Sequence, residues 1–168
     1  MAGVSIKVNV DDKRLLADFS RLQRMMGDTT PIMRIIGVGL TGNIQKRLKT
    51  GALESRWAPL NPAYKATKRN ARMMVESGML RSSLTSAPGN GYVYIGTNRI
   101  YAAIHQLGGT IKRKYEGGWR SDKEDHTWET KSVTTMPARP FLTVEEDDRE
   151  MMANIIFTRI QRLLSSPK

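Results

Sequence analysis

The apolar residues of this chain recur with two different spacings, and the order of these spacings constrains the fold more than any other feature. Alternating apolar and polar residues predict short strands at 5–10 and 92–96. Spacings of three and four residues predict amphipathic helices at 12–26, 31–50 and 144–164. Strands and helices do not alternate regularly, which favours an α+β fold with a small antiparallel sheet over a parallel α/β fold.

The helix predicted at 31–50 has clear boundaries and an unusual interior. Thr30 is expected to cap it, Pro31 suits its first turn, and Gly51 is expected to end it. Three glycines, each costing about 1 kcal/mol relative to alanine in a helix interior, lie inside it at positions 37, 39 and 42. They indicate either close packing of another element or a locally weak helix.

The second half of the chain contains shorter elements. A short helix is predicted from Pro62 to about Val75, and a helical turn or two at 101–107. Two hairpin arms are predicted at 110–115 and 127–135. The glycine-rich, charged residues 116–126 between them are expected to form a long, exposed and flexible loop.

The last helix is predicted to begin with a capping box, in which Thr143 is the cap and Glu146 lies three residues further on. Residues 165–168 are expected to be a frayed tail. The 168 residues are enough for one domain, residues 1–168, with amphipathic helices from both ends of the chain packed against the sheet.

Charge is the second informative feature, because lysine and arginine number 27 against 16 acids, for a net charge of +11. This imbalance indicates a polyanionic neighbour, which is nucleic acid, an anionic membrane surface or an acidic protein. We call residues 43–81 the basic stretch, because it holds nine cations against two acids. The nine are Lys46, Arg47, Lys49, Arg56, Lys65, Lys68, Arg69, Arg72 and Arg81.

An acidic block, residues 145–150, has the opposite charge and contains five acids and one arginine. Acids are favoured in the first turn of a helix by its dipole, which explains their position without any partner. The alternative is a head-to-tail contact between copies, with the block of one copy against the basic stretch of the next. The residues that would make such a subunit contact are Glu145, Glu146, Asp147 and Asp148.

Catalytic and metal-binding patterns give no positive signal. The chain has no cysteine, which excludes a disulfide scaffold, a thiolate metal site and cysteine catalysis. Its two histidines, His105 and His126, lie in no ligand or catalytic spacing. A group of charged residues could bind a cation, but a solvated, exposed charge run explains it better. These residues are Asp122, Glu124, Asp125, His126 and Glu129. We therefore expect no catalytic residue, no cofactor and no metal.

No apolar run approaches the ~18 residues that a membrane-spanning helix needs. The first residues lack a basic start followed by a long apolar stretch, so we expect no secretory signal. The expectation is a protein made in the cytoplasm, with no membrane partner.

Several short motifs occur together and in a recognisable order: WAPL at 57–60, SGMLRSSL at 77–84, IGT at 95–97, YAAIHQLG at 101–108 and PARPFL at 137–142. In this order they resemble the tailed-phage virion morphogenesis family, the tail-completion proteins of Mu-like and P2-like phages and prophages. The motif residues are Trp57, Pro59, Gly78, Leu80, Gly96, Tyr101, His105, Gln106, Gly108, Pro137, Arg139, Pro140 and Phe141.

The resemblance implies a non-enzymatic structural protein that acts late in tail assembly, near the junction of tail and head. It implies a ring, commonly a hexamer, around the DNA channel of the virion, with other tail or neck proteins as partners. His105 and Gln106 would satisfy backbone groups in a tight turn. PARPF would be a stiff connector that aims the last helix, and Phe141 and Leu142 would anchor that helix in the core. The basic stretch would face either packaged DNA or an acidic neighbour.

Two other functions remain to be weighed against this one. A small basic nucleic-acid-binding protein would use the same cations without forming a ring, and its affinity would fall steeply with salt. A hydrolase that uses His105 is disfavoured, because the sequence offers no partner residues in a catalytic arrangement.

Overall fold

The computed structural model describes residues 4–7, 27–69, 72–120 and 125–165, together with 13, 16–17, 20 and 23–24. Side chains at 4–7, 115–131 and 163–164 are outside this description. Most of the helix predicted at 12–26, the strand prediction beyond residue 7 and the tail at 166–168 therefore lie outside the described residues.

A long helix, α1 (Thr30–Thr50), forms the centre of the fold. Its apolar residues Ile32, Ile36, Leu40, Ile44 and Leu48 recur every four residues and are almost fully buried. The helix ends at Gly51, which adopts the left-handed conformation typical of a residue just past a helix C-terminus. The predicted boundaries are confirmed, except that the capping position belongs to Thr29 and not to Thr30.

A three-stranded antiparallel sheet packs on α1. Its strands are β1 (Val4–Lys7), β2 (Leu84–Gly89) and β3 (Tyr92–Thr97), in the order β1-β3-β2. Val93 and Ile95 of β3 are buried, whereas Tyr92 and Tyr94 are exposed. β2 was not predicted, because Pro88 and Gly89 were interpreted as part of the turn. Proline is compatible with β2 because this strand lies at the edge of the sheet.

The turn between β2 and β3 is tied to the start of α1. The Thr29 main-chain N–H and side-chain hydroxyl both donate to Asn90 Oδ1, and the Gly91 N–H donates to Thr29 Oγ1. Thr29 is completely buried. These contacts fix the position at which the helix begins over the sheet.

Two of the three helix glycines permit close packing. A Cβ atom on Gly37 would lie 2.8 Å from Val93 Cγ2 and 2.9 Å from Ser86 Cβ in the sheet. A Cβ atom on Gly39 would lie 2.6 Å from Met151 Sδ in the last helix. Gly42, in contrast, has no neighbouring atom within 4 Å of the same position.

We expect Gly37→Ala and Gly42→Ala to have opposite effects on stability. Gly37→Ala overpacks the helix–sheet contact and should lower the free energy of unfolding by about 1–3 kcal/mol. Gly42→Ala meets no neighbour and should raise it by about 0.4–1 kcal/mol, because alanine restricts the unfolded chain and favours the helix. Urea denaturation measures both, and equal stability of the two variants would contradict the packing described here.

The last helix, α5 (Glu146–Ser165), runs antiparallel to α1. Arg47 near the end of α1 contacts Asp148 near the start of α5, and Gly39, earlier in α1, lies against Met151, later in α5. The helix begins two residues after the predicted position. The N–H of Glu145 donates to Asp148 Oδ2 at 2.9 Å, so Asp148 fulfils the role predicted for Glu146. Its buried apolar side chains include Met152, Ile156 and Ile160.

Short helices connect these elements. A 3₁₀ turn (Glu54–Arg56) follows α1, and the helices α2 (Pro62–Thr67), α3 (Met79–Ser82) and α4 (Ala102–Leu107) come later. The prediction of a helix from Pro62 to about Val75 was wrong in length, because the backbone is extended at Lys68. The helix predicted at 101–107 is confirmed as α4.

Two long strands, β4 (Gly109–Arg120) and β5 (Asp125–Met136), form a separate antiparallel ribbon of 12 residues in each strand. The predicted arms were too short, since both strands continue into the segment predicted as a loop. Residues 121–124, between the strands, lie outside the described residues. Together with the helices, the sheet and the ribbon confirm the predicted α+β class.

Candidate functional site: a junction of three motif segments

Three of the sequence motifs meet at one place, which we call the motif junction. It joins residues 57–59, 105–106 and 139–142. The indole N–H of Trp57 donates to the Pro140 carbonyl at 2.9 Å, and Trp57 is buried. Arg139 is also buried and donates from Nε and Nη2 to the carbonyls of Ala58 and Pro59 at 3.1 and 3.2 Å. Both polar side chains therefore bind main-chain groups of the other segment.

Gln106 connects the third segment to the same place. Its Oε1 atom accepts hydrogen bonds from the main-chain N–H groups of Phe141 and Leu142, both at 3.0 Å. Its Nε2 atom donates to the Leu142 carbonyl at 3.4 Å. One amide side chain thus replaces a strand partner for an extended segment. Phe141 and Leu142 are buried, as predicted for a segment that anchors the last helix.

His105 acts through its main chain, because its carbonyl accepts a 2.7 Å hydrogen bond from the Arg139 N–H. The predicted hydrogen bond from the imidazole to a backbone carbonyl is not found in the described part of the chain, where Nδ1 has no partner. Burial lowers the pKa of His105 below its ordinary value, and the nearby positive charge of Arg139 lowers it further. The ring also lies edge-on to Tyr101.

Other motif residues shape the backbone, Gly108 beside the junction and Gly78 at the start of a short helix. Gly108 adopts a positive φ of 73°, and a Cβ atom there would lie 2.8 Å from the Ala138 N atom. Gly78, with φ of 75°, precedes α3, and Leu80 in α3 is buried. Pro59 and Pro137 are exposed. The chemistry of the motif is therefore the fixing of main-chain segments relative to one another.

The acidic block is paired within its own chain. Arg47 is only 8% exposed and donates to Asp148 Oδ2 at 2.6 Å, to the Thr143 carbonyl at 3.2 Å and to Asp147 Oδ1 at 3.4 Å. Asp148 is completely buried and also accepts a 2.7 Å hydrogen bond from Asn43. Two predictions are therefore wrong. Asp148 is not available for a subunit contact, and Arg47 is not available to DNA or an acidic partner, because both side chains are buried.

Arg56 and Glu145 form a second pair between the basic stretch and the acidic block. Arg56 Nη1 donates to both carboxylate oxygens of Glu145, at 2.8 and 2.9 Å. This hydrogen bond lowers the pKa of Glu145 below its ordinary value of 4.5. The attraction predicted between the two charged regions is thus present inside one chain, at both pairs.

The Arg56–Glu145 pair should make stability depend on pH. A carboxyl group with a lowered pKa in the folded state stabilises the fold above its unfolded pKa, and this contribution is lost as the pH falls through the folded pKa. We expect Arg56→Gln to lower the free energy of unfolding by about 0.2–1 kcal/mol at pH 7, because Arg56 is largely exposed. The difference from wild type should shrink as the pH falls below the ordinary carboxyl pKa, and it should disappear below the lowered pKa of Glu145 in the folded state.

Urea denaturation at a series of pH values measures this difference. Lys46→Gln is the matched control, since it removes an exposed charge that has no described contact with Glu145. A constant difference between wild type and Arg56→Gln across the acid range would contradict the assignment to Glu145.

The basic stretch is divided by the structure into internal and exposed cations. Besides Arg47 and Arg56, Lys68 is mostly buried and donates from Nζ to the carbonyls of Arg72 and Val75 and to Glu76. Arg72 donates to the Thr50 carbonyl. Four of the nine cations thus hold the chain's own backbone or acids. Of the other five cations, Lys46, Lys49, Lys65 and Arg69 are exposed, whereas Arg81 is half-buried.

A groove of about 680 Å³ lies between α1 and α5. Its wall is formed by Ile35, Met151 and Ile155, with Asp147 towards one end and Arg162 towards the other. None of the motif residues lines it. Among the described residues, no three acidic or histidine side chains gather as a metal site would require, and no helix is long and apolar enough to cross a membrane. The side chains of His126 and its acidic neighbours are outside the description.

A family comparison agrees with the arrangement of the motifs. The model of the phage virion morphogenesis family matches residues 10–161, which is most of the chain. The chain belongs to this family, and its role is in the structure or assembly of a phage particle.

A curated relative is the Mu-like prophage FluMu G protein 2 of Haemophilus influenzae. It is 26% identical over 154 residues, which cover 90% of this chain and 93% of the relative. No solved structure matches the chain. The motif junction is therefore defined by the hydrogen bonds within this chain.

Some residues of the site were not identified from sequence. Asn43 and Asn90 make partly buried side-chain hydrogen bonds to residues more than 60 positions away. An isolated asparagine carries no pattern that predicts a distant partner. The Asn90-Gly91 turn was visible in the sequence, but its contact with Thr29 was not.

Proposed function

We propose that the protein is a non-enzymatic structural component of the phage tail that acts in tail completion and head–tail joining. It forms a ring of copies, commonly six, around the DNA channel at the neck or head-proximal end of the tail. Its partners are further copies, other tail or neck proteins and, without sequence preference, packaged DNA. It is made in the host cytoplasm and incorporated into the virion.

The motif junction is the observation that carries this proposal. The polar side chains of Trp57, Gln106 and Arg139 are directed to main-chain groups of neighbouring segments. A family motif used in this way builds a scaffold, and membership in the virion morphogenesis family gives that scaffold a place in particle assembly. The polar groups of an enzyme motif would instead converge on a cleft.

The distribution of charge supports weak contact with DNA. Four of the nine cations in the basic stretch are engaged inside the chain, as described above. The exposed ones, such as Lys46, Lys49 and Lys65, are distributed over two helices, α1 and α2. Separate cations attract phosphate without holding it tightly, which suits a channel through which DNA must move.

Complementation of a phage lysate tests the proposal. A lysogen lacking this gene is expected to release heads and tails that are not joined, as seen by electron microscopy. Purified protein added to that lysate should restore joined, infectious particles. The yield should rise in proportion to the protein added, because each particle needs a fixed number of copies.

Two outcomes would contradict the proposal. Normal joined particles without the gene would exclude a role in joining. Full restoration by an amount of protein far below one copy per particle would indicate a catalytic role.

A further inference from the structure

The ribbon of β4 and β5 is exposed on both faces near its base. Alternate residues of a strand point to opposite faces, so Lys112 and Val133 share one face, and Arg113 and Thr134 lie near one another on the other. All four are exposed, and Val133 is 65% exposed. An isolated two-stranded ribbon is only marginally stable in water. The ribbon therefore has the geometry of an arm that gains stability by meeting another chain.

The two edges of this arm differ in chemistry. β4 carries three consecutive cations, Lys112, Arg113 and Lys114. Charged side chains, lysine above all, discourage pairing at an exposed edge strand. The β5 residues 132–136, Ser-Val-Thr-Thr-Met, have no charge and no proline and include three β-branched residues. Only the β5 edge of this part of the ribbon is chemically suited to receive another strand.

The three-stranded sheet offers an edge of the same kind. β2 is its outermost strand on one side, and residues 84–89 carry no charge. Thr85 and Ala87 are exposed. Pro88 has no N–H to donate, which limits pairing to residues 84–87. Residues 84–87 of β2 and residues 132–136 of β5 form edges of similar length, because a strand rises about 3.4 Å per residue.

Net charge determines where two copies can approach. Chains of +11 repel one another, so a contact between copies is favoured where it brings no cations together. We infer that the outer edge of β5 in one copy adds as a strand to the outer edge of β2 in a second copy. The inference rests on the self-association in the proposed function. Because the two surfaces differ, the contact is head-to-tail, which is the kind of contact that builds the ring of the proposed function when the rotation between copies closes.

Cysteine cross-linking tests this pairing, since the chain has no cysteine of its own. Chains carrying Ala87→Cys are mixed with chains carrying one cysteine at position 133, 134 or 135 and oxidised with copper phenanthroline. Cysteines at positions 133 and 135 should give similar yields of cross-linked dimer, and a cysteine at position 134 should give a clearly different yield. The reason is that alternate residues of a strand face opposite sides. Lys112→Cys, across the ribbon from Val133, is the matched control and should give little product.

Each other result would overturn the pairing in a different way. Equal cross-linking at 133, 134 and 135 would indicate a contact without strand geometry. A covalent dimer from Val133→Cys chains alone would indicate that two β5 edges pair with each other. Light scattering on the same samples separates the strand pairing from the self-association of the proposed function. Assembled protein that gives no cross-links would overturn only the strand pairing. A monomer at every concentration would overturn the ring as well.

Discussion

Replacing Arg47 with methionine is expected to lower the free energy of unfolding by about 3–5 kcal/mol, as loss of one partner from a buried ion pair does. Asp148 has no exposed surface, and Arg47 is its cationic partner at 2.6 Å. The hydrogen bonds from Asn43 and Glu145 remain in the variant, but they do not neutralise the carboxylate. Total stabilities are about 5–15 kcal/mol, so the loss is a large fraction.

Two further variants make this prediction specific. Lys46→Met changes the neighbouring, exposed cation and should alter stability by no more than about 0.5 kcal/mol. Adding Asp148→Asn to Arg47→Met should recover much of the loss, because the amide oxygen still accepts from Glu145 and the buried charge is gone. Urea denaturation followed by tryptophan fluorescence measures all three. A loss below about 1 kcal/mol in Arg47→Met would show that Asp148 is hydrated.

Phe141→Ala is the second large expected effect, with a loss of about 3–5 kcal/mol, because the side chain is completely buried and its removal leaves a cavity. Phe141 also anchors the segment whose main chain is held by Gln106. Loss of the anchor should therefore expose Trp57, which donates to the adjacent Pro140 carbonyl, and shift its fluorescence to longer wavelength.

Phe157→Ala provides a control of the same residue type. Phe157 is 60% exposed on α5, so its removal should cost at most about 0.5 kcal/mol. The same urea titration compares both variants with wild type. If Phe141→Ala were as stable as Phe157→Ala, the 137–142 segment could not be the anchor of the last helix.

Helices α1, α4 and α5 and the central strand β3 could be predicted because the local spacing of apolar residues determines them. Gly51 ends α1 and Gly108 follows α4, as their positions in the sequence indicated. The burial of Phe141 was expected from the resemblance to the virion morphogenesis family, which implied that Phe141 anchors the last helix in the core. These features depend on residues close to one another in the chain.

Features that depend on distant residues could not be predicted. Arg47 and Asp148 are 101 positions apart, and the acids after 145 were explained well enough by the helix dipole alone. The opposite charges of the basic stretch and the acidic block did indicate that the two regions attract each other. They did not indicate that the ion pairs form within one chain. β2 was missed because proline and glycine indicate a turn unless the strand is known to lie at a sheet edge.

Light scattering of the purified protein in high salt, with negative-stain images, tests the central claim most directly. A structural ring should give a fixed multiple of 18.9 kDa, commonly six, that persists as salt rises, with closed rings in the images. Contacts without ion pairs are little weakened by salt. A monomer at every salt concentration, with DNA affinity that falls steeply as salt rises, would contradict the claim and identify a small nucleic-acid-binding protein.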